Sequence, residues 1–282
     1  MQITFHGVRG STPCHGDDTA RYGGNTSCVS LRIPGDQPLF FDIGTGARYL
    51  AREVAHDGTF RGTCLLSHLH WDHTQGLPFF TPLLVDGAAL HVHAPAQDDG
   101  RSVADVFRES IRPPLFPVSL DQLPGAIHFH DTSDETFVVG SATVTARMVP
   151  HVGPTLGYRV EWQGMSVVYL SDHQQPYDGS FAMSEGARQL ATGADVLIHD
   201  SQYTSCEFER KSTWGHCTVD YAVWLAQECG VRTLVLFHHD PSRTDDALDE
   251  LHRVAAAKGA AGGLRVLAAS EGLTIDVASL RA

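Results

Sequence analysis

The run Thr63-Cys64-Leu65-Leu66-Ser67-His68-Leu69-His70-Trp71-Asp72-His73 decides how this chain is read. Its first half is a short apolar stretch, the pattern of a buried strand. Its second half carries four metal-competent side chains, His68, His70, Asp72 and His73, within six residues. A strand that ends in such a cluster places a preformed cation site at the carboxyl edge of a sheet. Imidazole nitrogens with one carboxylate suit zinc or a similar first-row divalent ion. Four ligands this close divide between two adjacent ions, and two adjacent ions make a site catalytic rather than structural.

The remainder has the balance of a globular protein: 282 residues, 42% hydrophobic and 19% charged, enough for a real core. It is expected to form one domain over residues 1–282. No apolar run approaches the roughly 18–20 residues that span a bilayer, so no membrane partner is expected. Residues 1–5 read as a first strand rather than a leader, which predicts a cytoplasmic protein. Cys14, Cys28, Cys64, Cys206, Cys217 and Cys229 are dispersed without C-x-x-C spacing, as reduced thiols are. A formal charge of −13 repels a long polyanion such as RNA unless metals and a local basic patch overcome it. That favours a small substrate over a polymer without excluding nucleic acid.

Strands and helices alternate in two blocks. The first places strands at residues 2–5, 27–33, 39–42, 63–66 and 89–93, with a helix over 47–55. A helix at 102–110 precedes Arg112-Pro113-Pro114-Leu115-Phe116-Pro117-Val118, whose prolines forbid a helix or a central strand. That segment either lines a pocket, as wall or lid, or crosses the surface. The second block places strands at 127–130, 135–139, 142–149, 156–162, 166–170, 195–199, 233–237, 264–267 and 272–275. Its helices fall at 183–191, 216–229 and 245–258. The economical architecture is α/β: a four-layer αββα sandwich of two mixed β-sheets flanked by helices.

Three more apolar strands end in ligand-type residues: Val149-Pro150-His151, Leu170-Ser171-Asp172-His173 and Phe237-His238-His239-Asp240. With these the chain resembles the metallo-β-lactamase superfamily. The family's H-x-H-x-D-H motif falls on His68, His70, Asp72 and His73, and its third histidine, bridging aspartate and last histidine fall on His151, Asp172 and His238. The resemblance implies that His68, His70 and His151 hold one ion and that Asp72, His73 and His238 hold the other, with Asp172 between them. Zinc is the first choice of metal; manganese and iron accept the same donors. Asp42, in Asp42-Ile43-Gly44-Thr45-Gly46, is expected to support the ligand loops. His238 aligns as the ligand in preference to His239, which faces the other way.

Finer motifs are similar to phosphodiesterases and ribonuclease Z. They include Phe5-His6-Gly7-Val8-Arg9-Gly10-Ser11, Tyr22-Gly23-Gly24-Asn25-Thr26 and Gly215-His216-Cys217-Thr218. By that resemblance a metal-bridging hydroxide attacks phosphorus, Asp72 can take a proton from the water, and His216 protonates the leaving alkoxide. Asp200 either orients His216 or serves loop packing. Ser242 and Arg243 bind a phosphate or form a surface ion pair, and Asn25 shapes the site floor. Residues 7–11 form a plain turn or present N–H groups to an anion. The pairs His91/His93 and His128/His130 alternate on strands and can each share one face. His173 adjoins a ligand and can support it; His6, His15, His56 and His252 are structural or exposed.

The expected activity is dinuclear metal-dependent cleavage of a small or cyclic phosphodiester. Alternatives are a ribonuclease Z-like endoribonuclease, a hydrolase of carboxylic esters, lactones or thioesters, and a metal-binding scaffold without catalysis. The charge, and the lack of a basic Gly/Pro-rich arm, weigh against the endoribonuclease. A homodimer is consistent with the resemblance.

Overall fold

The structure is a computed structural model that describes residues 1–281. The chain opens with β1 (Gln2–Gly7), β2 (Cys28–Arg32) and β3 (Leu39–Phe41), then the single-turn α1 (Ala47–Leu50) and β4 (Arg61–Leu65). The ligand motif starts α2 (Trp71–Thr74), followed by β5 (Ala89–Pro95), α3 (Val103–Ser110) and β6 (Ala126–Thr132). Four strands come next: β7 (Glu135–Val139), β8 (Ala142–Met148), β9 (Leu156–Trp162) and β10 (Met165–Leu170). The rest alternates α4 (Glu185–Ala191), β11 (Val196–Asp200), α5 (Ser205–Lys211), α6 (Val219–Glu228), β12 (Thr233–Phe237), α7 (Asp245–Ala261), β13 (Arg265–Ala268) and β14 (Thr274–Asp276).

Two seven-stranded mixed sheets result, ordered β14-β1-β2-β3-β4-β5-β6 and β13-β12-β11-β10-β9-β8-β7. They pack face to face through Ile3, Phe5, Phe41 and Leu65 on one side and Val144, Tyr158, Val167, Tyr169, Ile198 and Phe237 on the other. Side chains alternate across each strand, so Cys64 and Leu197 face outward where Leu65 and Ile198 face inward. The outward residues pack under helices: α3 with the first sheet, and α4, α6 and α7 with the second. Central strands buried on both faces read as unbroken apolar runs, which is why β10, β11 and β12 were legible. The four-layer αββα sandwich of the sequence reading is therefore the observed one.

Several local expectations are corrected. Residues 127–130 were placed in the second block, yet β6 pairs in parallel with β5 in the first sheet. The short 133–134 connection crosses from sheet to sheet, and alternation alone does not distinguish that crossing from a hairpin. The segment 272–275 likewise joins the first sheet, with β14 antiparallel to β1. The helix over 47–55 makes one α-turn and tightens to 3₁₀ geometry at Ala51–Glu53 before Val54 turns extended. The helix expected from residue 216 starts at Val219, because the Thr218 hydroxyl accepts the Tyr221 N–H as a cap. His216 is thereby left on the loop before it. Helix α5 was not anticipated; only Phe208 in it is buried, so it has no apolar stripe, although Thr204 and Glu207 form a capping box.

His6, expected to be structural or exposed, is buried on β1 with its ring bonded to the Ser30 hydroxyl at 2.8 Å. Burial lowers its pKa to about 4. The unfolded chain, near 6.5, binds the proton first as pH falls, so this contribution is present above 6.5 and is lost toward 4. Urea unfolding at pH 6.5 and pH 5 should show a loss of roughly 1–2 kcal/mol from this residue alone. The His6→Gln variant should show a correspondingly smaller loss; an equal loss would contradict it.

Candidate metal centre

The parallel strands β3, β4, β10, β11 and β12 end at one edge of the sandwich, the usual place for a site in a parallel sheet. Loops leaving these ends, and the one after β8, converge there. Three nitrogens form one group: His70 Nδ1 lies 2.8 Å from His68 Nε2 and 3.2 Å from His151 Nε2. A second group forms around Asp72 Oδ2, which lies 3.2 Å from His73 Nε2 and 3.1 Å from His238 Nε2. Asp172 stands between the groups. Its Oδ2 is 3.1 Å from His73 Nε2, and its Oδ1 is 3.4 Å from His238 Nε2 and 3.8 Å from both His68 and His151 Nε2. All seven residues anticipated as ligands are thus brought together.

Four of the five histidine rings are aimed from behind. The Ser67 hydroxyl donates to Asp42 Oδ2 and so accepts from His68 Nδ1 at 3.0 Å. His73 Nδ1 donates to Asp42 Oδ2 at 2.6 Å, His151 Nδ1 to the Gly215 carbonyl at 2.6 Å, and His238 Nδ1 to Gln202 Oε1 at 2.8 Å. These bonds fix the tautomers and leave the four Nε2 lone pairs facing the centre. Asp42 also accepts the Ser67 N–H at 2.7 Å and the Tyr169 hydroxyl at 2.6 Å, which ties the end of β3 to the loop after β4 and to strand β10. His239 is directed away, donating Nε2–H to the Ala269 carbonyl at 2.9 Å.

The donor set fits divalent cations. His73 Nε2 and Asp172 Oδ2 are fully buried without a hydrogen-bond partner, although 3.1 Å apart. Buried polar atoms are normally paired, and a cation between such atoms would satisfy both. Electrostatics agree. Burial lowers the pKa of His68, and lowers that of His151 to about 4, keeping both rings neutral. Burial opposes charge on His73 and His238 too, but Asp72 and Asp172 outweigh it and raise both. Against their own burial, Asp72 is held below the usual carboxylate range chiefly by His73 and Asp172 chiefly by His238. Buried negative charge here calls for compensation, which bound cations supply without protons.

His216 lies beside this centre with Nδ1 2.9 Å from Asp200 Oδ2 and 3.7 Å from Asp172 Oδ1. Asp200 at the end of β11 also accepts the His173 and Gln202 N–H groups, at 3.2 and 2.9 Å. A cavity of about 770 Å³ opens over these residues, lined among others by His70, Asp72, His151, His216, Lys211 and Trp214.

Other expectations change. Asn25 does not reach the cavity; its side chain and N–H both donate to Glu271, at 3.0 and 2.6 Å. Arg243 binds the Gln202 carbonyl and Glu207 instead of a ligand, because α5 lies across it. Ser242 lines the cavity, but its hydroxyl donates to Asp240 at 2.6 Å. The N–H groups of residues 8–11 are taken up inside the protein, the last by Asp72 Oδ2 at 2.6 Å. His173 turns away from the centre and meets His199 at 2.9 Å. The segment 112–118 contributes Leu115 to a groove wall. His91, His93, His128 and His130 share one face of β5 and β6, where the rings of His91 and His130 join at 2.9 Å. His15 and His56, left as structural or exposed, lie outside the centre, as does His252, which meets the Val266 carbonyl at 3.0 Å.

The sequence reading missed Ser11, Gln202, Gly10 and Gly215. A Cβ on Gly10 would lie 2.3 Å from the His238 ring, and one on Gly215, at φ +96°, would lie 2.5 Å from the His151 ring. The Gly10→Ala variant should therefore fold yet retain metal about 10–100-fold more weakly. Chelator competition checks this; unchanged affinity would show that His238 is not positioned through Gly10.

Fold and centre together define a class, a metal-dependent hydrolase built on an αββα sandwich. Residues 52–239 match the model of the beta-lactamase superfamily domain, and the chain belongs to that family. The chain is similar to a ribonuclease Z from Synechococcus sp. (strain WH7803), 27% identical over 292 residues that cover 86% of this chain and 85% of that protein. Among solved structures it resembles the metallo-beta-lactamase fold protein YhfI from Bacillus subtilis, with TM-score 0.73, 19% identity and coverage of 97% and 98%. It also resembles the short form of human tRNase Z, with TM-score 0.64, 23% identity and coverage of 98% and 99%. The two structural likenesses show the fold.

Proposed function

We propose that the chain is a dinuclear phosphodiesterase acting on a small or cyclic phosphodiester. The observation that carries this reading is His216, tied to Asp200 at 2.9 Å and lining the cavity above the two donor groups. Two divalent cations, zinc or alternatively manganese or iron, would activate water and offset charge on the phosphoryl oxygens. The chain's own residues supply the rest. His68, His70 and His151 would hold one cation and Asp72, His73 and His238 the other, with Asp172 placed between the two groups. With Nδ1–H donated to Asp200, His216 keeps its charged form oriented and offers the Nε2 proton to the leaving oxygen. Asp72 can accept a proton from the attacking water. An ester, lactone or thioester hydrolase has less use for such a donor.

Cavity size supports a small substrate. Lys211 is the one Lys or Arg lining the metal cavity, whereas a polynucleotide is held through several phosphates. The similarity to ribonuclease Z favours a second reading, an endoribonuclease. Purified protein with zinc or manganese should hydrolyse bis(p-nitrophenyl) phosphate and cyclic nucleotides. No turnover with either metal, despite two bound cations, overturns the proposal; cleavage of precursor transfer RNA alone establishes the rival.

A further inference from the structure

The cavity over the metal centre does not end at Trp71. On the far side of that indole runs a second groove of about 360 Å³, which shares Leu69 and Trp71 with the metal cavity. Its walls come from three separate segments: the turn after the ligand motif, helix α3 and the proline-rich stretch that follows it. Trp71, Phe79 and Leu115 are 76%, 64% and 74% exposed, among the most exposed large apolar residues described. Single exposed apolar residues are ordinary, but three that line one groove form a patch of the kind that marks a binding site. The edge of the Phe116 ring contact, 5.7 Å from Phe79 and nearly perpendicular to it, fixes the aromatic wall in place.

The groove is not wholly apolar. The hydroxyls of Thr74 and Ser110 are spent on the His70 and Val106 carbonyls. The Gln75 carboxamide, in contrast, has no side-chain hydrogen bond to the protein, although its backbone N–H closes the turn onto Trp71. An aromatic wall with one free carboxamide is the chemistry that receives a planar heterocycle. The ring stacks, and the amide reads its edge through paired donor and acceptor atoms. The shared wall of Leu69 and Trp71 sets such a ring beside a phosphodiester held at the centre.

We propose that this groove is a nucleobase subsite, so that the substrate is a phosphodiester carrying a nucleoside on one side. The inference rests on the phosphodiesterase reading and narrows its substrate class. Trp71 is the shared wall: its position between the ligands His70 and Asp72 lets one residue face the reacting group and the base at once. Phe79, Leu115 and Gln75 are positioned to set specificity rather than chemistry.

The test compares two esters with the same leaving group, thymidine 5′-(p-nitrophenyl phosphate) and methyl p-nitrophenyl phosphate, on the metal-loaded protein. The nucleoside ester should have the lower KM. In Phe79→Ser and Leu115→Ser the ratio of the two KM values should shift about tenfold toward the methyl ester, while the kcat ratio holds, as for lost uniform binding. Gln75→Ala should change the preference among thymidine, adenosine and guanosine esters. Equal KM values in the unmodified protein, or variants that raise both KM values alike, overturn the subsite and leave the phosphodiesterase reading standing. Turnover of neither ester overturns that reading instead. If Phe79→Ser or Leu115→Ser turns a dimer into a monomer in sedimentation and leaves the KM ratio alone, the groove is an interface between copies and the proposal fails.

Discussion

Asp172→Ala should lower kcat/KM on bis(p-nitrophenyl) phosphate by roughly three orders of magnitude or more, the largest effect expected of any single change. Metal-assisted charge stabilisation is worth several kcal/mol, and each ~1.4 kcal/mol is tenfold in rate. Asp172 lies within reach of both donor groups, with oxygens 3.1 Å from His73 and 3.8 Å from His68. After Asp72, it is the second carboxylate that raises the pKa of His73 against burial, so its removal leaves that ring with Asp72 and Asp42 as partners and without its contact to the other donor group. The expected signature is double: bound metal drops below about two per chain by elemental analysis, and residual turnover recovers only in excess metal. The cavity left by removing the carboxylate is polar and reachable from solvent, so the far-ultraviolet circular dichroism should be unchanged. A variant that keeps full metal and full rate would remove Asp172 from the centre.

His216→Ala should divide substrates by leaving group. A positioned general acid contributes about 10²–10⁴ in rate when the departing alkoxide is a strong base. For nucleoside or alkyl leaving groups that factor should be lost almost whole. For p-nitrophenolate, which departs without a proton, the loss should be within about tenfold. Metal content should stay at the unmodified level, because the His216 ring is bonded to Asp200 and is not needed by either donor group. Uniform loss across leaving groups would mean that His216 only packs the loop.

Much of this centre was legible because the fold writes its ligands at strand ends. An apolar run followed within three residues by His or Asp is a local signal, repeated after β4, β10 and β12, while β8 alternates and leads to His151 through Val149-Pro150. The sandwich followed from the same runs, since central strands buried on both faces are apolar over most of their length. Topology at the margins was not legible. Whether β6 turns back in its own sheet or crosses to β7, and whether β14 returns to β1, depends on pairings distant in sequence. Helix α5 escaped because its single buried residue leaves no periodicity, although its capping box was present to be read. The supports of the centre were hidden for another reason. Gln202 holds His238 across 36 positions and Ser11 holds Asp72 across 61, and neither residue type announces such a role. Asn25 and Arg243 misled because a polar residue near a motif satisfies the pattern of a ligand whichever way it points.

Ser11, Asp42 and His238 all adopt left-handed backbone, at φ 61°, 55° and 58°, and Gln163 in a hairpin turn is the other non-glycine residue described in that region. Such a conformation costs a non-glycine residue about 1–3 kcal/mol. Selection for heat resistance alone would therefore be drawn to these positions, where glycine adopts the same backbone freely. At residue 11 the exchange would keep the main-chain N–H offered to Asp72 but remove the hydroxyl that accepts from Gln202 at 3.3 Å, beside the bond that orients His238. At residues 42 and 238 it would harden the scaffold and erase a carboxylate and an imidazole from the centre. The three positions therefore differ in what heat stability would cost: one hydroxyl contact at residue 11, and at 42 and 238 a group around which the centre is built.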